Sequence, residues 1–361
     1  MKLAVAAIAL LFAAGAAQAA DGARADQAIA ASGFQGVALI GEGSALVYER
    51  AAGEVRPGEP HRIDSVWRLA SVTKQLAALI ILQEVAAGTI DLEAPVRTWW
   101  PEWPAPHADK ITVRMLLRHE SGLPDPSAGM PGGDDDVPAF YRQQGVAADP
   151  AAAASGFCAG PPRTQAPAGF HYNNCDYLVL GALAEKVTGK SFATLLDERI
   201  ARPLGLASLG LFAFAGPPAP HVSGLIAKYV AEPAINLGSY GAAGAAFMRP
   251  RDLWLFDRAL MENRLLDRIQ TAAMWTGDPG LGFAALGAWS YAASLQGCPD
   301  EVALVERRGS IGGVQIRNFL APHARVAVIL FTNRGDFDYG EVGDRSGFAH
   351  DMLAAALCPA P

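Results

Sequence analysis

Two periodicities divide this chain. Near one end, Gly36-Val37-Ala38-Leu39-Ile40 and Ala45-Leu46-Val47-Tyr48 are short apolar runs separated by Gly41-Glu42-Gly43-Ser44. That pattern predicts two strands joined by a hairpin turn. Near the other end, Val302-Ala303-Leu304-Val305, Val314 to Leu320 and Val326 to Phe331 predict three more strands. Ala321-Pro322-His323 opens the turn between the last two, because proline cannot continue a ladder. The middle of the chain is helical. Gln75 to Val85 is apolar on nearly every side, so its helix belongs inside the protein, and Gly88 is its stop. Thr112 caps a helix over Val113–His119 that Gly122 and Pro124 end. Further helices are predicted over Tyr177–Val187, over Phe192–Ile200 after Ser191, over Asp252–Met261 after Pro250, and over Phe348–Leu357.

Strands at both ends around a helical middle predict an α/β (α+β) fold, with one sheet built from both termini and a mainly helical insertion. The expected division is a sheet domain from residues 20–70 and 276–361 and a helical domain from 71–275. Residues 124–169, rich in Pro, Gly and Asp, form a long surface excursion of the kind that rims a binding site.

Composition narrows the function classes. Of 361 residues, 51% are hydrophobic and 18% charged, which supports a packed core. A net charge of −7 leaves no basic surplus to neutralise phosphates, so a nucleic-acid partner is not expected. Lys2, the apolar run Leu3–Ala17 and the small-residue site Ala17-Gln18-Ala19 read as a signal peptide over residues 1–19. The run is too short to span a bilayer, and no later stretch replaces it. A periplasmic or secreted protein follows, without a membrane span in the mature chain. In that compartment Cys158, Cys175, Cys298 and Cys358 can pair in three ways; proximity favours Cys158–Cys175 and Cys298–Cys358, with buried free thiols as the alternative.

Ser71-Val72-Thr73-Lys74 is an S-x-x-K at the head of the buried helix. Its spacing puts hydroxyl and amine on one face. A serine needs a base within hydrogen-bond reach, and lysine serves only when burial or nearby positive charge favours its neutral form. Tyr172-Asn173-Asn174 supplies a Y-x-N about a hundred residues on. A tyrosine near a lysine can carry a stabilised phenolate and take the serine proton, while Asn174 can donate to a substrate carbonyl. Taken singly, each motif also fits a helix cap or a core-edge residue. The seven histidines show no H-E-x-x-H, so neither metal nor cofactor is expected. Gly238 to Gly244 follows no clear strand and is no phosphate loop, and Asp134-Asp135-Asp136 reads as a solvated loop. Trp99, Trp100 and Trp103 read as packing, and His119 and Ser121 as loop-fixing residues.

Together, Arg68 to Gln75, Ile111 to Pro124, Tyr172 to Phe192, Gly241-Ala242-Ala243-Gly244 and Leu330-Phe331-Thr332-Asn333-Arg334 resemble the serine β-lactamase-related superfamily. That group holds class C β-lactamases, D-alanyl-D-alanine carboxypeptidases and related esterases. The resemblance covers nearly the whole mature chain. It implies a β-lactamase/transpeptidase-like fold, with an antiparallel sheet flanked by terminal helices beside a helical domain. It also implies a serine hydrolase that forms an acyl-enzyme on a small-molecule or peptide ester or amide. By resemblance Ser71 is the nucleophile, Lys74 its proton-handling partner and Tyr172 the general base. Asn174 contacts substrate, and the amides of Ser71 and Ser310 form the oxyanion hole. The family's third motif, Lys or His, any residue, then Gly, falls on Arg307-Arg308-Gly309. On a strand, Arg307 and Gly309 face the site and Arg308 turns away. Arginine cannot give up its proton, so Arg307 is expected to clamp a substrate carboxylate. The rival reading is a ligand-binding protein of the same fold with impaired turnover, penicillin-binding-like.

Overall fold

The computed structural model describes residues 20–128 and 137–360. The expected signal peptide and the Asp134-Asp135-Asp136 run lie outside the described residues. The main sheet takes strands β1 (Gly36–Glu42) and β2 (Ala45–Ala52) from one end of the chain. From the other it takes β3 (Trp289–Ala293), β4 (Val302–Ile311), β5 (Val314–Ala321) and β6 (Val326–Thr332). The order is β3-β4-β5-β6-β1-β2, and every neighbouring pair is antiparallel.

The strands other than β3 feed two cores, because successive side chains leave opposite faces. Val37 and Leu39 of β1 and Ala327, Ile329 and Phe331 of β6 face the larger core. Ala38 and Ile40, with Val328 and Leu330, face the smaller one. Helices α1 (Gly22–Ser32) and α6 (Phe348–Leu357) cover the smaller core. The terminal helices thus flank one face of the sheet, as the fold reading expects. Sequence reading missed α1, a short alanine-rich helix capped by Asp21 and closed by Gly33 in the left-handed conformation. It also missed β3, whose half-buried residues give no apolar run.

The larger core holds α2 (Thr73–Ala86), buried from Thr73 through Leu82. Around it stand α3 (Val113–Arg118), α4 (Cys175–Thr188) and α5 (Pro250–Met261). His119 does not continue α3 but closes it, with φ at 62°. The helix expected over Phe192–Ile200 loosens after Leu196 into a wider turn over Asp197–Ala201 and continues through Pro203 to Gly205. The disulfides are Cys158–Cys175 and Cys298–Cys358, the favoured pairs. The first joins the long excursion to the first residue of α4; the second joins the turn before β4 to the end of α6. Trp103 packs inside, its indole donating to the Ala154 carbonyl at 3.0 Å.

The strand β4 is longer than its apolar run, and this positions the site. Beyond Val305 it continues through Glu306-Arg307-Arg308-Gly309-Ser310 to a two-residue Gly312-Gly313 hairpin. Gly312 takes φ of 55°, which a turn of this kind demands. β3 pairs only with Val302–Glu306, so Arg307–Ile311 is an open edge. In a hairpin closed by Ile311 and Val314, the backbone groups of Ile311, Gly309 and Arg307 bond β5, and those of Arg308 and Ser310 point to the open edge.

Candidate active site

Ser71 sits in a tight turn, Ala70–Val72, that leads into α2. The turn is anchored by the Leu69 amide on the Ala246 carbonyl at 2.7 Å. Ala70 has φ of 45°, a costly conformation for alanine, held in place by complete burial. The turn also lies against β4. A side chain at 309 would bring its Cβ within 2.6 Å of the Leu69 carbonyl oxygen and 3.2 Å of the Ser71 amide nitrogen. Gly309 is therefore glycine so that the strand and the turn carrying Ser71 can touch.

One turn along α2, Lys74 is fully buried. Its ammonium donates to Ser71 Oγ at 3.1 Å, to Asn174 Oδ1 at 2.7 Å and to the Ala243 carbonyl at 2.7 Å. The Tyr172 hydroxyl lies 2.6 Å from Ser71 Oγ. Three distant stretches thus converge on one hydroxyl. Arg307 closes the group from β4: its Nε donates to the Ser71 carbonyl at 2.7 Å and its Nη2 to the Tyr172 hydroxyl at 3.0 Å. Among the described residues no carboxylate pairs with Arg307, whose guanidinium lies over the rings of Trp289 and Tyr172.

The electrostatics follow from this packing. Burial lowers the Lys74 ammonium to about 8, with Arg307 adding to the effect and Tyr172 opposing it. Burial alone would raise the Tyr172 phenol, but the charges of Lys74 and Arg307 outweigh it and bring it down to about 8. Lysine and phenol therefore titrate as one coupled pair near neutrality, the range in which a proton-transfer group works best.

Asn174 is committed inward. Its Oδ1 accepts from Lys74, and its Nδ2 donates to Ser127 Oγ at 3.0 Å and to the Tyr141 hydroxyl at 2.7 Å. It joins Lys74 to the long excursion. His119 and Ser121 both reach Asp176 on the first turn of α4, His119 through Nδ1 at 2.9 Å and Ser121 through its hydroxyl. Burial lowers the imidazole well below its usual range and raises the carboxyl well above its own, so the pair adds no net charge. The His119 ring packs on Tyr172 with centroids 4.5 Å apart. Trp289, at the start of β3, stacks on the same phenol ring with centroids 6.3 Å apart.

Ser71, Tyr172, Gly309 and Ser310 line a cavity of about 430 Å³ that opens along the free edge of β4. Its outer wall includes Trp289, Arg308 and Glu341. Arg308 does turn away from the serine, but it stays in the cavity wall. Sequence reading passed over Trp289, Tyr141, Ser127 and Asp176; of these only Asp176, beside the Y-x-N, carried a positional signal. Among the described residues no group of three or more His, Cys, Asp and Glu converges as a metal site, and no helix is long and apolar enough to cross a membrane.

Comparison with known proteins gives the family and the fold. A family model described as Beta-lactamase matches residues 22–350. The chain is 28% identical to esterase EstB of Burkholderia gladioli over 351 residues, covering 82% of this chain and 85% of that one. It is 26% identical to the D-alanyl-D-alanine-carboxypeptidase/endopeptidase AmpH of Escherichia coli K12 over 337 residues, 86% and 82% of the two chains. Among solved structures, a D-stereospecific amidohydrolase from Streptomyces sp. superimposes with a TM-score of 0.69 at 26% identity, covering 94% of this chain and 99% of that one. The D-amino acid amidase of Ochrobactrum anthropi SV3 shares the fold with a TM-score of 0.74 at 24% identity, over 92% and 99%.

Proposed function

As a member of the Beta-lactamase family, the chain is a serine hydrolase acting on ester or amide substrates, and we propose that Ser71 is its nucleophile, with Tyr172 and Lys74 as one proton-handling pair. The observation that carries the assignment is Ser71 Oγ held between the Tyr172 hydroxyl at 2.6 Å and the Lys74 ammonium at 3.1 Å. In the acylation step the Tyr172 phenolate takes the Ser71 proton as Oγ bonds to the substrate carbonyl carbon. The carbonyl becomes an oxyanion, which the amides of Ser71 and Ser310 receive. Collapse of that intermediate expels the alcohol or amine, and the Tyr172 hydroxyl protonates it. Water then repeats the sequence on the ester at Ser71 and frees the acid. Lys74 and Arg307 hold the negative charge of Tyr172 each time it is a phenolate, in a site where burial strengthens each charge–charge contact.

Arg307 supports this role better than a clamp on substrate, since two of its nitrogens are turned onto the Ser71 carbonyl and Tyr172. Asn174 acts through Lys74, holding the ammonium toward Ser71. The two disulfides support export to an oxidising compartment, periplasmic or extracellular. The test is covalent: a fluorophosphonate probe should leave its mass on the peptide carrying Ser71, and Ser71→Ala should abolish both labelling and turnover of a p-nitrophenyl ester while keeping the fold. Labelling at another residue, or turnover that survives the substitution, would refute the assignment.

A further inference from the structure

The cavity beside Ser71 has a charged outer wall that the reaction above does not use. Arg308, on the opposite face of β4 from Arg307, donates through Nη1 and Nη2 to the two oxygens of Glu341, both at 2.6 Å. Its Nε bonds Glu306 at 2.7 Å. The two carboxylates differ in kind. Glu306 is 1% exposed and is also held by Arg317 at 2.6 Å and by the Tyr291 hydroxyl at 2.5 Å. It cannot leave without stranding charge in the sheet. Glu341 has a side chain 56% exposed, with Arg308 its one ion-pair partner among the described residues. Exposed pairs of this kind are weak net contributors, because water solvates the separated ions nearly as well. The Glu341 arm can therefore swing into solvent at little cost.

We propose that Arg308 recognises a carboxylate on the substrate and that Glu341 is an internal carboxylate which the substrate displaces. The bidentate geometry on Glu341 shows which chemistry the guanidinium fork is set to hold. Arg308 shares the cavity with Ser71, so a carboxylate on its fork belongs to a molecule whose carbonyl reaches Oγ. Glu306 is shared between Arg308 and Arg317, so release of Glu341 leaves two guanidinium groups on one carboxylate, a net positive charge in the cavity wall. A neutral substrate gains nothing from displacing Glu341, so the pair discriminates as well as binds. This inference rests on the reading of Ser71 as nucleophile.

The test uses matched substrates and reads the ratio of kcat/KM for the carboxylate to that for its methyl ester. One pair, the mono-p-nitrophenyl esters of glutaric acid and of its monomethyl ester, places the group on the acyl side. The other, acetate esters of 3-hydroxybenzoate and methyl 3-hydroxybenzoate, places it on the leaving group. In at least one pair Glu341→Gln should raise the ratio roughly 3–10-fold and Arg308→Met should lower it tenfold or more, the scale of charge-assisted hydrogen bonds. Arg308→Lys, which keeps the charge without the fork, should fall between. Glu341→Gln removes only an exposed carboxylate and keeps the inference testable if Arg308→Met fails to fold. Ratios unmoved by Glu341→Gln in both pairs would overturn it. Failure of the Ser71 reading shows separately, as neutral-ester turnover that survives Ser71→Ala.

Discussion

Adding one methyl group at residue 309 should disable the site while leaving the protein folded. The Cβ of Gly309→Ala would lie 2.6 Å from the Leu69 carbonyl oxygen, 3.2 Å from the Ser71 amide nitrogen and 3.3 Å from Ala70 Cβ. Carbon and oxygen rest at roughly 3.4 Å or more, so strand and turn must part by roughly 0.5–0.8 Å. Neither side yields easily. Leu69 and Ala70 are fully buried, the Leu69 amide is bonded to Ala246, and Ala70 already occupies a strained φ. The strand is held by β5. Overpacking of this sort costs ~1–3 kcal/mol, and a displacement approaching 1 Å at a nucleophile costs ~10²-fold in rate. The expected result is a folded enzyme whose melting temperature drops by several degrees and whose kcat falls ~10–100-fold on a p-nitrophenyl ester, with KM less affected. Gly343→Ala is the control, since a Cβ there meets nothing within 4 Å. A Gly309→Ala enzyme with wild-type kcat and melting temperature would refute the argument that β4 sets the position of Ser71.

Tyr172→Phe removes the group proposed to exchange the Ser71 proton and should cost ~10²–10⁴ in kcat, with ester hydrolysis as the measure. In the proposed mechanism the wild-type pair acts after losing a proton, so kcat/KM should rise with pH through about 8. Arg307→Met deletes a positive charge 3.0 Å from the phenol oxygen, which raises its pKa; the acidic limb should move to higher pH, and carboxylate and neutral substrates should lose activity alike. Asp257, on α5, is fully buried and accepts from Asn318 Nδ2 at 3.1 Å, while Asp257 Oδ2 and Asn318 Oδ1 are left without a partner. Burial raises its pKa well above 3.8, so the folded protein binds a proton that the unfolded chain releases above that pH. Stability from the protonated carboxyl is full below pH ~4 and falls by ~1.4 kcal/mol per unit above it, up to the raised folded value. Asp257→Asn, which forms the same paired bonds without ionising, should match wild type near pH 4 and melt higher at pH 8; equal melting temperatures at both would count against a protonated Asp257. Cys298→Ala with Cys358→Ala opens a loop of 60 residues and should destabilise by up to ~4 kcal/mol, measured by urea unfolding.

Those outcomes depend on features that differ in how plainly the chain displays them. The sheet was legible where strands run through both cores, as in β6, because seven consecutive buried residues leave no polar face. α2 was legible for the same reason. β3 was not, because an edge strand with half-buried residues looks like a loop. Nor was the full length of β4. Its apolar run stops at Val305, and the strand then carries Glu306 and Arg307 inside the protein, where charge normally argues against burial, with Arg308 half-buried beside them. Their partners come from β3, β5, the turn at Ser71 and the loop at Glu341, all far off in sequence, so the compensation that permits the burial is tertiary.

The two adjacent arginines show where pattern reading ends. Strand alternation assigns opposite faces to Arg307 and Arg308 without any coordinates, and the structure has them so. Alternation says nothing of what each guanidinium meets. Arg307 faces the serine, which invites a substrate-binding role, yet two of its nitrogens are spent on the Ser71 carbonyl and the Tyr172 hydroxyl. Arg308 faces away, which invites dismissal, yet the free edge of β4 lets the cavity reach past Gly309 to it. The decisive difference is what each arginine holds. Arg307 is bonded to the Ser71 carbonyl and the Tyr172 hydroxyl, which belong to the site itself, whereas Arg308 holds the exposed carboxylate of Glu341, which pairs with no other cation among the described residues. The charge that faces Ser71 is thus held by the site's own groups, while on the proposal above the charge on the far side of the same strand is the one that exchanges its carboxylate for the substrate's.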